Sequence, residues 1–157
     1  MNLKVDIPLA AADKIIAAAM KAGRKHKMLP LAVAVLDAGG NVVAVKREDG
    51  CGIMRTDVAI GKAWGALAMG IPTRLLRDRL ADRIGFQAAL GAVSDGRFVP
   101  VPGGVLILDA EGKTIGSVGI SGDTSDKDEF AAIAGIKAAG LVSNPAEPAP
   151  KWAESRL

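Results

Sequence analysis

Apolar residues recur along this chain at two different periods, and the alternation between them predicts its elements. After Pro8, the stretch LAAADKIIAAAMKAGRK sets Leu9, Ala12, Ile15, Ile16 and Ala19 at helical spacing, with proline suited to the first turn. Leu31 to Leu36 is a continuous apolar run of strand length, followed by Asp37-Ala38-Gly39-Gly40-Asn41 and the run Val42 to Val45. Asp, Gly and Asn supply turn conformations that the flanking residues do not, so this segment predicts a β-hairpin. The device returns where Val105 to Leu108 leads through Asp109-Ala110-Glu111-Gly112-Lys113 into Thr114 to Ile120. The shared pattern Leu-Asp-Ala-x-Gly predicts two similar hairpins, side by side in one antiparallel sheet.

Between the hairpins lie two helical stretches, Thr56 to Met69 and Thr73 to Ile84, punctuated by Gly70 and Pro72. The first presents Ala59, Ala63, Ala66 and Gly70, with Gly61 and Gly65, and is thin enough to lie close to a sheet or another helix. A last helix begins near Ser125 or Asp126 and is capped by Gly140. The order helix, hairpin, helix, helix, hairpin, helix predicts an α/β (α+β) fold, an antiparallel sheet with helices mainly on one face. The other face is left for a second copy to cover, which predicts a homo-oligomer. Residues 1–143 read as one domain and 144–157 as a proline-rich tail, extended or ordered only against a neighbouring subunit.

Composition narrows the classes of function. A chain of 157 residues supports one core without staples. Its net charge of +3 is dispersed, as in Arg74, Arg77, Asp78, Arg79, Asp82 and Arg83, which marks a solvated helix face. With two Trp, three Phe and no Tyr, stacking positions for nucleic acid are missing, so no nucleic-acid partner is expected. The single Cys51 has no disulfide partner within the chain, the amino terminus carries Lys4 and Asp6 in place of a signal-like apolar stretch, and no apolar run reaches a membrane span. A cytoplasmic protein with no membrane partner is the expectation.

Taken in order, Val33-Ala34-Val35-Leu36-Asp37-Ala38-Gly39-Gly40-Asn41, Ala59-Ile60-Gly61-Lys62-Ala63, Pro102-Gly103-Gly104-Val105 and Gly119-Ile120-Ser121-Gly122 resemble the GlcG/HbpS family, across most of residues 8 to 142. That family includes free-standing proteins and a domain attached to corrinoid adenosyltransferases. The resemblance implies a profilin-like or PAS-like fold, dimers that assemble further, and haem as a cofactor in some members. In others it implies lyase-type activity on small aromatic acids within catabolic pathways.

Candidate chemistry falls at five places. The segment Pro102, Gly103 and Gly104 lets backbone approach a bound carboxylate, or merely turns the chain into a strand. Lys62 and Arg55 suit the neutralisation of an acidic ligand; alternatively both reach solvent or pair with Asp57. The acids Asp123, Asp126, Asp128 and Glu129 open the last helix, where Ser125 with Asp128, or Asp126 with Glu129, has capping-box spacing. Capping explains most of that cluster, and the alternative is that Glu129 or Asp126 serves as a general base or binds a divalent cation. His26 is the only imidazole for haem iron or a metal, set in the basic run Arg24-Lys25-His26-Lys27 that equally suits a solvated helix end. Met28 and Cys51 are possible soft ligands. Two functions follow: a small-molecule-binding oligomer taking haem or a small carboxylate, or a lyase or isomerase acting on a small aromatic or hydroxy acid. In the second, Lys62 or Arg55 holds the substrate carboxylate and Glu129 or Asp126 moves a proton.

Overall fold

The computed structural model describes residues 5–157; the reading of the amino terminus rests partly on residues 1–4, which lie outside the described residues. Helix α1 spans Leu9–Lys25 and buries the predicted stripe Ala12, Ile15, Ile16 and Ala19. Pro8 stands just before it, and its carbonyl accepts from the amides of Ala11 and Ala12. The first hairpin is β1, Ala32–Asp37, with β2, Val42–Arg47. The second is β3, Gly104–Leu108, with β4, Thr114–Ser121. Their turns are built alike: the Asp37 carboxylate accepts from the Asn41 amide at 2.9 Å and that of Asp109 from the Lys113 amide at 2.8 Å. Gly40 and Gly112 both take φ 79°, a left-handed conformation that other residues adopt at a cost. Even the irregularities match, since the pairing register slips at Leu36 in one hairpin and at Leu108 in the other.

Pairing of β1 with β4 joins the hairpins, and the antiparallel sheet has the order β2-β1-β4-β3-β5. The alternation of side chains along these strands then sorts the core. Val33, Val35, Val105, Ile107, Val118 and Ile120 point to one face, where they pack with Ile15 and Ile16 of α1 and with Ala131, Ile133 and Ile136 of α5, Ser125–Ala138. The opposite face is covered too, by α2, Arg55–Met69, whose Ala59 packs on Ala32 and Ala34. Small residues make this approach possible: Ser117 Oγ donates to the Ala63 carbonyl at 2.9 Å, and an added Cβ at Gly119 would meet the Ala59 carbonyl oxygen at 1.8 Å. The apolar sheet face that the sequence leaves to a second copy is thus occupied, over β1, β4 and β3, by this chain's own small-residue helix.

Three further features go beyond the predicted order. The helix expected over Thr73 to Ile84 stops at Leu80 (α3, Thr73–Leu80), and a separate α4 spans Ile84–Val93 with none of its residues buried. Its sequence, IGFQAALGAV, has no charged residue and no polar face, so periodicity offered nothing to detect. Strand β5, Val142–Asn144, pairs antiparallel with β3. Beyond β5 the chain runs over its own α5, ending in a short 3-10 turn, Trp152–Glu154, with Trp152 stacked on Phe130. Among the described residues no helix is long and apolar enough to cross a membrane.

Candidate functional site

Two neighbouring clefts share Pro30 as a wall. The larger, 640 Å³, lies between α1 and the end of β2 and is lined by Met20, Arg24, Lys46, Arg47, Glu48 and Asp49. The smaller, 250 Å³, lies at the start of α2 against Cys51, Arg55 and Gly122. Strand β2 delivers Lys46 and Arg47 at its last two positions, α1 delivers Met20 and Arg24 one turn apart, and α2 presents Arg55 as its first residue. Four cations and two acids line the pair of clefts.

Each cation is held. Arg24 Nη2 donates to the Leu29 carbonyl at 2.7 Å and lies 3.1 Å from Glu48 Oε2, while Lys46 Nζ lies 2.8 Å from Asp13 Oδ1. Arg47 donates to the Cys51 carbonyl, and Arg55 Nη1 to Ser121 Oγ at 3.3 Å. The Cys51 thiol is buried, and burial pushes it up against the downward pull of Arg47 and Arg55, so it stays protonated at neutral pH.

Behind Arg55 stands a buried ion pair. Lys62 Nζ lies 2.8 Å from Asp128 Oδ2, with the two side chains 2% and 1% exposed. Burial pushes the Asp128 carboxyl up, opposed by Lys62, by the Asp123 amide at 3.1 Å and by Arg55. Asp128 therefore spends its carboxylate on Lys62 and on Asp123, and the capping box expected with Ser125 does not form; α5 starts without a side-chain cap. Next to it, burial works against ionisation of Asp123, but the amides of Leu29 and Thr124 and the Lys127 ammonium outweigh it and hold this carboxyl below the usual range.

The residues singled out from the sequence are distributed as follows. Arg55 lines the smaller cleft. Pro102, Gly103 and Gly104 are buried beside Lys62 and α2: an added Cβ at Gly103 would stand 3.0 Å from Lys62 Nζ, and one at Gly104 2.2 Å from the Lys62 carbonyl oxygen. The close approach these glycines permit is within the same chain, to the α2 backbone at Gly104 and to the Ile120 carbonyl of β4 as well as Lys62 at Gly103. Glu129 and Asp126 face α3, with Arg74 Nη1 3.1 Å from Glu129 Oε1 and Arg77 Nη1 3.6 Å from Asp126 Oδ1. Lys62 and Glu129 thus face different partners, Asp128 and Arg74. His26 caps α1, and its ring stands edge-on to Phe130 and Trp152 at 4.9 and 5.1 Å. Sequence reasoning missed Lys46, Arg47 and Arg24 as cleft walls, and the pairings of Lys62 with Asp128 and Glu129 with Arg74. The adjacent cations closing an edge strand were the one visible signal.

These residues can be tested against haem. Its two carboxylates fit the cationic wall, where Arg24, Arg47 and Arg55 offer guanidinium groups. The soft donors in the walls are Met20 and the protonated Cys51, whereas His26 faces the aromatic stack. Among the described residues no group of three or more His, Cys, Asp or Glu side chains is placed to hold a metal ion.

Comparison with known proteins gives consistent results. An uncharacterised 15.0 kDa protein from the dhaT-dhaS intergenic region of Citrobacter freundii is 31% identical over 129 residues, spanning 80% of this chain and 87% of that protein. A crystal structure of a PduOC–haem complex superposes with a TM-score of 0.77 at 26% identity, over 86% of this chain and 96% of that one. A doubly substituted HbpS of Streptomyces reticuli gives 0.72 at 30% identity, over 87% and 89%. The family described as haem degrading protein HbpS-like matches residues 7–137, and the chain belongs to this HbpS-like family.

Proposed function

We propose that this chain is a small-molecule-binding protein whose ligand is haem, held by its carboxylates against Arg24, Lys46, Arg47 and Arg55. The observation that carries this reading is the excess of cations around the 640 Å³ cleft and its smaller neighbour. Membership of the HbpS-like family and the likeness to a haem complex support it. A visible-absorption titration with haemin tests it: a Soret shift that saturates at one equivalent per subunit or per dimer is the expected outcome, and weak absorption that never saturates contradicts it. His26→Ala discriminates the axial ligand. With the ring engaged by Phe130 and Trp152, binding is expected to survive this change, and its loss would assign the iron to His26.

A second reading, a lyase or isomerase acting on a small aromatic or hydroxy acid, is favoured by one observation, that the cleft walls hold no imidazole. Arg55, the one of the sequence candidates in a cleft wall, then takes the carboxylate with the Lys62–Asp128 pair behind it, while Glu129 and Asp126, the acids singled out for the proton, stand against α3 outside both clefts. Turnover unaffected by both Lys62→Ala and Glu129→Ala removes that mechanism. Either reading includes self-assembly, supported by the uncharged α4, where Ile84, Phe86 and Val93 are 75%, 41% and 85% exposed. Phe86→Glu is expected to shift the protein to its monomer in size-exclusion chromatography with light scattering, and an unchanged mass places the interface elsewhere. A cytoplasmic location belongs to the same proposal, supported by the single unpaired thiol.

A further inference from the structure

After β5 the chain crosses α5 and is anchored at both ends of the crossing. Glu147 Oε1 lies 2.6 Å from Lys137 Nζ, and the Glu147 carbonyl accepts from Arg74 Nη2 at 3.1 Å. At the far end Trp152 lies flat on Phe130, with ring centroids 3.6 Å apart and planes 6° from parallel. The Arg74 guanidinium that donates to the Glu147 carbonyl also lies 3.1 Å from Glu129 Oε1, so the crossing segment passes beside the Glu129 carboxyl group, with the backbone of Ala149 close to it.

Glu129 is 0% exposed, and neither carboxyl oxygen has a hydrogen bond of good geometry. An ionised carboxylate enclosed in this way has lost its water without full replacement. Burial is the largest influence and pushes Glu129 up to about 7, against the pull of Arg74, the Ala149 backbone and Arg77, with Asp126 adding to the rise. The charged groups around it are therefore Arg74 and Arg77 from α3 and Asp126 from its own helix, while Lys137 and Glu147 hold the crossing segment and His26 borders Trp152.

We propose that residues 145–154 form a proton-controlled strap, which closes over a neutral Glu129 and lifts away when that carboxyl ionises. Closure removes water from the group and favours its neutral form, so closing takes up a proton. By linkage, raising the pH favours opening, where the group regains solvent and returns toward the ordinary value of 4.5. The sign is opposite to that of a strap held by a salt bridge to the same carboxylate, which would release in acid. Opening exposes a carboxylate between two guanidinium groups at the seam of α3 and α5.

Trp152 reports the strap directly once Trp64→Phe has made it the sole tryptophan. Emission is expected to move to longer wavelength between about pH 5.5 and 8.5, with a midpoint near 7 and an opening constant about thirtyfold larger at the alkaline end. Glu129→Gln in that background should abolish the transition, and His26→Asn should leave it. Emission independent of pH, a transition that survives Glu129→Gln, or one lost with His26→Asn overturns the proposal. A second measurement does not depend on the Gln variant folding: Phe130→Ala removes the seat of Trp152, and the Glu129 carboxyl, followed by its ¹³C shift, should then titrate at least about one pH unit lower. An unchanged midpoint overturns it equally.

Discussion

Gly119→Ala is expected to destabilise the fold by about 4 kcal/mol or more, at the upper end of what single substitutions do. The added methyl would lie 1.8 Å from the Ala59 carbonyl oxygen and 2.7 Å from the Ala63 amide nitrogen. Both are backbone atoms of α2, so no side chain can swing aside. Relief requires lifting the helix from the sheet, which opens the packing of Ala59 on Ala32 and Ala34 and breaks the bond from Ser117 to Ala63. In a domain of this size such a loss lowers the melting temperature by roughly 10 °C or more. Gly91→Ala is the matched control. It lies within α4 where an added Cβ meets nothing within 4 Å, so a gain of about 0.5–1 kcal/mol from helix propensity is expected. Calorimetry on the two variants checks both signs, and equal melting temperatures would contradict the described contact of α2 with β4.

Lys62→Met is expected to cost about 3–5 kcal/mol, because it strips the partner from a carboxylate that is itself buried. Asp128 would keep only the Asp123 amide as a direct hydrogen-bond donor, in a pocket closed by Gly103 and the start of α5. Adding Asp128→Leu should recover much of the loss, since a buried ion pair replaced by apolar groups of similar size is often neutral in stability. Chemical denaturation of the single and double variants measures this coupling. If the double variant is stable yet no longer binds ligand, the pair serves binding; if it binds as the parent does, the pair serves the fold.

The parts of this structure legible in the sequence are those written in local chemistry. The stripe on α1, the twin turns at Asp37 and Asp109, and the small residues of α2 each state their own conformation. Strand β5 was not legible because three residues, Val142–Asn144, carry too little alternation to register. Helix α4 was missed because its apolar residues surround the helix, leaving no period to find. The site was less legible than the fold. Arg55, singled out because its type and place suit a carboxylate, lines the smaller cleft, but the pairing of Lys62 with Asp128 spans 66 residues of sequence, and nothing in either neighbourhood encodes it. Gly103 and Gly104 show the ambiguity of glycine: the same freedom that admits a ligand also admits the chain's own elements, and here α2 and β4 fill the space.

The measurement that bears most directly on the proposed binding site is a haemin titration of Arg24→Ala/Arg47→Ala/Arg55→Ala beside the parent protein, with folding checked by circular dichroism. The cationic cleft predicts a Kd at least about tenfold weaker for the folded triple variant, as befits the loss of charge-assisted bonds to the carboxylates. An unchanged Kd in that folded variant would contradict the assignment of the ligand to this cleft.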